Sequence, residues 1–109
     1  MGTDLRLIYI TAESRKEALK VGRILVEEKL AACVNVIDGM SSIYSWKGNI
    51  EEASECILFA KTRSANVDAL SKRVLELHSY DCPCIISLKI SGNEGNPEYL
   101  EWLFKETQS

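Results

Sequence analysis

The chain has no apolar run near the roughly 20 residues that a spanning helix needs, and no block of Lys or Arg dense enough to make a basic patch. The first absence excludes a transmembrane helix. The second, with 16 acidic residues against 13 basic ones and a net charge of −3, disfavours nucleic acid as a partner. Met1-Gly2-Thr3-Asp4-Leu5-Arg6 lacks the apolar core of a secretory signal, and Arg6 stands where a myristoylation motif needs Ser or Thr, so the expected location is the cytoplasm with no membrane attachment. Cys33, Cys56, Cys82 and Cys84 form no Cys-x-x-Cys and no disulfide framework, which in a reducing compartment reads as four free thiols. Gly92-Asn-Glu-Gly95 lacks the Lys-Ser/Thr of a phosphate loop and the spacing of a dinucleotide fingerprint. It reads as a turn, and no organic cofactor is expected.

What remains is an ordinary globular composition, 46% hydrophobic and 27% charged, and a length that fits one domain over residues 1–109. Asp4 to Ile10 is apolar on both faces and suits a central strand. Ser14-Arg-Lys-Glu17 fits a capping box, and Ala18, Val21, Gly22 and Leu25 follow at helical spacing, which predicts a helix to about Lys29. Ser64-Ala-Asn66 offers N-cap side chains for a helix with Val67, Leu70, Val74 and Leu77 on one stripe, ending near His78. Ile86, Leu88 and Ile90 alternate as a half-buried strand does. Asn96-Pro97 gives an N-cap and an N1 proline for a short last helix holding Trp102 and Phe104.

Between the first helix and the second lies a β-hairpin too long for its domain. Ala32 to Tyr44 is rich in β-branched and aromatic residues, and at about 3.3 Å per residue it would extend roughly 43 Å. Lys47-Gly48-Asn49 supplies the turn, and Ile50 to Thr62 returns. The element order gives an α+β fold, a ferredoxin-like split βαβ sandwich with an extended hairpin joining the second and third strands and a C-terminal helix. Right-handed crossovers put both main helices on one face of a four-stranded antiparallel sheet. Ile57 and Phe59, with Tyr9, Ile43, Tyr44 and Trp46, then call for a second chain over the open face and the arm, in a closed homo-oligomer. The competing arrangement is a monomer in which Trp102 and Phe104 fold back over that face.

Chemistry concentrates in His78-Ser-Tyr80-Asp-Cys82-Pro83-Cys84. Imidazole and thiolate bind zinc, copper and other late transition metals, and Cys-x-Cys entering a strand can aim both sulfurs to one side. A structural site wants three or four ligands, and this segment reaches three only if His78 turns toward the thiols. Otherwise His78 ends a helix and the cysteines pack. Glu51, Glu52 and Glu55 are candidate hard-cation ligands or solvated carboxylates. Lys61 and Arg63 close the third strand and suit an anion or a carboxylate across a subunit boundary. A hydrolase would need Cys33 or Cys84 beside His78, and nothing in the sequence lowers either thiol's pKa.

Leu30-Ala-Ala-Cys-Val-Asn-Val36, Ser42-Ile-Tyr-Ser-Trp-Lys-Gly-Asn-Ile-Glu-Glu52, Lys61-Thr-Arg63, His78-Ser-Tyr80 with Pro83, and Gly95-Asn-Pro-Glu-Tyr-Leu-Glu-Trp102 together resemble the CutA divalent-cation tolerance proteins over nearly the whole chain. The resemblance implies a homotrimer in which long hairpins cross between neighbours, a cytoplasmic binding protein and no enzyme, and a link to copper and other divalent transition metals. The family's proposed copper site uses a cysteine ending the first strand and two consecutive histidines, where this sequence has Ile10, Leu77 and His78. Only His78 carries over. The ligand candidates are therefore His78, Cys82, Cys84 and Cys33. A second reading is a sensor or scaffold resembling the PII trimers, with an inter-subunit cleft lined by Tyr44, Trp46, Lys61, Arg63 and Tyr80 that takes a small anion or a protein partner.

Overall fold

The computed structural model describes residues 4–108; Met1-Gly2-Thr3, part of the segment read above for a leader or lipid signal, lie outside the described residues. The elements run β1 (Leu5–Ala12), α1 (Arg15–Glu27), β2 (Cys33–Trp46), β3 (Asn49–Arg63), a 3₁₀ turn (Ser64–Asn66), α2 (Val67–Leu77), β4 (Ile85–Ile90) and α3 (Pro97–Glu106). The sheet is antiparallel in the order β2-β3-β1-β4, which is the ferredoxin-like arrangement that the sequence predicts.

Local chemistry sets the ends of α1. The Ser14 hydroxyl accepts from the Glu17 N–H at 3.1 Å, as a capping box requires, but Glu17 Oε1 accepts from the Glu13 N–H at 3.1 Å, one residue before the cap. The helix stops two residues short of Lys29. Lys29 takes φ +60°, and the Lys29 and Leu30 N–H groups donate to Val26 O and Leu25 O, the paired bonds of a Schellman ending. The capping expected of Asn66 does not occur. Its amide instead donates to Thr107 O at 2.8 Å and Lys29 O at 3.4 Å, because the 3₁₀ turn leaves it facing the chain's C-terminal end rather than the first turn of α2.

The core lies between α1, α2 and one sheet face, with Ile8, Ile10, Ala18, Val21, Leu25, Leu58, Leu70 and Val74 all buried. Each large side chain there contributes about 1.5–3 kcal/mol of transfer free energy. α1 comes close to the sheet at Gly22, where a β-carbon would lie 2.9 Å from Val34 Cγ2 and 3.2 Å from Leu58 Cδ1. On the opposite face α3 covers one end only. Arg63 lies 3.7 Å from the Phe104 ring centroid, donates to Phe104 O and Thr107 Oγ1, and Leu5 and Leu103 are buried apart from the main core. Fold-back of the last helix is thus realised at the Arg63 end, while Trp102 stays 42% exposed against Tyr99, and Ile37, Ile86 and Leu88 remain exposed.

The hairpin stretches the molecule to 47 Å along its longest axis, against 26 and 22 Å across. Trp46 pairs with Asn49, so the turn is the two residues Lys47 and Gly48, both at positive φ as a type I′ turn demands. Between Ile37 and Met40 the register shifts by one, with Asp38 and Gly39 opposite Cys56 alone. Gly39 takes φ +82° there, as β-bulges commonly ask of a glycine. An unbroken strand would send Tyr44 and Trp46 to the helix side of the sheet, because side chains alternate faces. The bulge reverses the alternation. Met40, Tyr44 and Trp46 come to the open face with Tyr9 and Glu55, while Ile43 and Ile50 point the other way, beyond the helices. Ile43 is thus separated from the aromatic group in which the sequence reading placed it.

Candidate functional site

The segment after α2 crosses the ends of the inner strands and is pinned there. His78 Nε2 lies 2.7 Å from Thr11 O, and the Tyr80 N–H donates to His78 Nδ1 at 3.0 Å. These partners fix the tautomer with the proton on Nε2, and both ring nitrogens are engaged. The Ser79 N–H donates to Glu17 Oε2 at 2.8 Å, so one carboxylate ties α1 to this loop. Tyr80 is thereby held with its hydroxyl donating to Glu55 Oε2 at 2.8 Å. Burial, and then the hydrogen bond to Glu55, push the Tyr80 phenol well above its ordinary value, so it stays a neutral donor.

Partial burial raises the pKa of Glu17, but hydrogen bonds from Ser79 and Glu13 outweigh it and hold the carboxyl below its ordinary value of 4.5. A depressed carboxyl stabilises the fold above its unfolded-state pKa and loses that contribution as pH falls through the folded one. Glu17→Gln is therefore expected to cost about 1 kcal/mol near neutrality, a figure set by two charge-assisted bonds that solvent partly screens. The gap from wild type should close as pH falls below about 4.5. Urea midpoints measured across pH would show it, and a gap independent of pH would remove Glu17 from this role.

Against the pinned loop, the arm completes a pocket of about 440 Å³ lined by Thr11, Tyr44, Trp46, Glu55, Tyr80, Asp81 and Cys82. Three of the five expected cleft residues meet there. The other two do not. Lys61 donates to Tyr99 Oη at 3.1 Å and Arg63 is taken by Phe104 and Thr107, because α3 lies on that end of the face. Within one chain the pocket therefore holds two carboxylates and, among the described residues, no Lys or Arg. Thr11, Glu55 and Asp81 were not read as pocket residues from sequence, since only tertiary pairing across 25 residues sets Tyr80 against Glu55.

The metal-ligand candidates are dispersed. Cys82 is exposed at the pocket, Cys84 is half-buried with its sulfur 4.0 Å from Tyr9 O, and Cys33 begins β2 opposite Lys61. Burial, then the Glu55 charge, raise the Cys84 pKa, which disfavours the thiolate that a metal or a nucleophilic step needs. Glu52 pairs with Ile43 on the face opposite Glu51 and Glu55, so the three hairpin carboxylates do not converge. Among the described residues no group of three or more His, Cys, Asp or Glu side chains is placed to hold a metal ion.

The fold as a whole is shared with solved structures of other proteins. The family model described as "CutA1 divalent ion tolerance protein" matches residues 6–106. This chain belongs to the CutA1 family. It is 44% identical over 101 residues to the divalent-cation tolerance protein CutA of Thermus thermophilus, covering 93% of this chain and 96% of that one. The chloroplastic CutA of Arabidopsis thaliana is 40% identical over 103 residues, 94% of this chain, and the chain spans only 56% of that relative's length. The CutA1 crystal structure from Oryza sativa superposes with a TM-score of 0.92 at 37% identity, covering 97% of this chain and 95% of that one. With a chloroplastic protein among the relatives, CutA1 membership by itself does not set a compartment. No helix among the described residues is long and apolar enough to cross a membrane.

Proposed function

We propose that this CutA1-family chain works as a cytoplasmic homotrimer in divalent-cation tolerance or response, binding copper or another transition metal rather than catalysing a reaction. The observation that supports assembly is the arm itself: Ile43, Trp46 and Ile50 are 69%, 55% and 75% exposed on a hairpin that extends past its own sheet, and Ile37, Ile86 and Leu88 continue the apolar surface. A neighbouring chain is the natural cover for such a surface. Among the described residues one chain gathers no closed ligand set, so we assign metal uptake to the assembled protein. There Cys82, the exposed thiol, and Cys33, on the open face, supply sulfur donors that a neighbour's side chains complete. His78 is a poor donor because both its nitrogens are engaged, and Cys84 is disfavoured by its burial.

Native mass spectrometry before and after addition of Cu(I) or Zn(II) tests both parts. The expected result is a trimer with stoichiometric uptake that falls in Cys82→Ser and persists in Cys84→Ser. A monomer would overturn the assembly. A trimer that takes up no metal would leave assembly standing and remove direct binding as the route to tolerance.

A further inference from the structure

Three consecutive residues after α2 are each fixed by a bond within the chain. His78 donates from Nε2 to Thr11 O near the end of β1, the Ser79 N–H donates to Glu17 Oε2 on α1, and the Tyr80 N–H donates to His78 Nδ1. Glu17 closes the set, since its other oxygen accepts from the Glu13 N–H where β1 leads into α1. Successive Cα atoms are only about 3.8 Å apart, so none of the three residues can detach without pulling on the next. These bonds join a loop to two core elements of its own subunit, and covering the open face with a neighbouring chain leaves them in place. We propose that His78, Ser79 and Tyr80 form a latch that opens and closes as one piece against Glu17 and Thr11, and that it couples Cys82 to the start of α1.

The connection to Cys82 is short and stiff. Only Asp81 separates it from Tyr80, and Pro83 follows it, whose ring fixes its own φ and confines the preceding residue to extended backbone. Moving the latch therefore moves the thiol. At the other end Glu17 reaches the cap of α1, where the Ser14 hydroxyl accepts from the Glu17 N–H. Two charge-assisted bonds on one carboxylate make Glu17 the joint between loop and helix. The His78 and Tyr80 rings, with centroids 4.8 Å apart, add a contact that closes with the polar bonds. α1 lies on the sheet face opposite the one that a neighbour is proposed to cover, so an ion held at Cys82 between subunits would register on an outer helix. Glu17 and His78 act here as positioning residues, and by linkage the effect runs both ways. The coupling to metal rests on the sulfur-donor role proposed above for Cys82, whereas the latch itself does not.

Amide hydrogen exchange of the purified protein reads the latch without metal. Glu17→Ala, which keeps a strong helix former in α1, should speed exchange at the Tyr80 N–H about fivefold, although that group's partner is His78. His78→Ala should speed exchange at the Glu13 N–H by a similar factor, although its partner is Glu17. Amides of α3, at the Arg63 end of the sheet, should not change in either variant and report that the fold is intact. Zinc chloride then probes the coupling. In the wild type it should slow exchange at the Glu13 N–H, an effect absent in Cys82→Ser, and its affinity should fall about fivefold in Glu17→Ala. Variants that speed only the amides bonded to the replaced side chain would overturn the latch. Zinc that binds without slowing the Glu13 amide would overturn the coupling. A wild type that binds no zinc would overturn the coupling and the metal reading together, and the cross-effects in the metal-free protein would still decide the latch.

Discussion

Replacing Leu58 by alanine is expected to lower the unfolding free energy by about 3–5 kcal/mol, the upper part of the range for deleting a buried leucine. Leu58 sits in the middle of β3, fully buried, between Ile10 on β1 and Val36 on β2. It also forms the floor on which α1 rests, as the 3.2 Å approach of a Gly22 β-carbon position to Leu58 Cδ1 indicates. Truncation therefore removes packing from the sheet on both sides and from the helix above. The surroundings have little freedom to collapse, because β-branched Val34, the other neighbour of Gly22, is stiff about χ1. Against a total stability of about 5–15 kcal/mol, this loss endangers the fold at ordinary temperature. Urea denaturation at matched protein concentration measures it, since assembly would add a concentration-dependent contribution. Leu58→Met, which conserves volume, should cost less than about 1.5 kcal/mol. Equal effects of the two substitutions would show that the position is not packed as described.

The second large effect falls on assembly. Ile86 and Leu88 are 49% and 48% exposed on β4, paired with Tyr9 and Leu7 on the open face. If a neighbouring chain covers them, each contributes about 1 kcal/mol, half of what full burial of such a side chain yields. The double substitution Ile86→Glu, Leu88→Glu removes that and obliges the interface to bury unpaired charge, which costs several kcal/mol more. Every 1.4 kcal/mol is tenfold in dissociation constant, so the variant should be monomeric at micromolar concentration where the parent is assembled. The unfolding free energy of the single subunit should change by less than about 0.5–1 kcal/mol, as for other surface substitutions. Sedimentation velocity and denaturation of the same preparation distinguish loss of assembly from loss of fold. A double variant that sediments as the parent does would place the interface elsewhere.

Most elements follow from short-range rules. The Ser14 cap, the proline at N1 of α3, the two-residue turn of the hairpin and the apolar stripes of α1 and α2 are each decided within a few residues, where steric and hydrogen-bonding preferences act directly. The family resemblance is likewise carried by contiguous motifs, and the subunit fold observed is that of the family's solved structures.

The site follows different rules. Asp38-Gly39 reads as two residues of a strand, yet as a bulge it decides which face Tyr44 and Trp46 occupy and so whether a pocket exists. Lys61 and Arg63 stand at the end of β3 in the sequence, and only the docking of α3 shows that within one chain Tyr99, Phe104 and Thr107 engage them. His78 stands out in the sequence, and only the fold brings Thr11 O and the Tyr80 N–H to its two ring nitrogens. Periodicity and capping act over one or two turns of chain, so the sequence by itself determined the elements, their order and the family. The tertiary structure alone decided the face each side chain occupies and the partners it meets, because strand register and helix docking are set by packing summed over distant residues. That packing gathered carboxylates and aromatic rings into one pocket and directed Lys61 and Arg63 away from it.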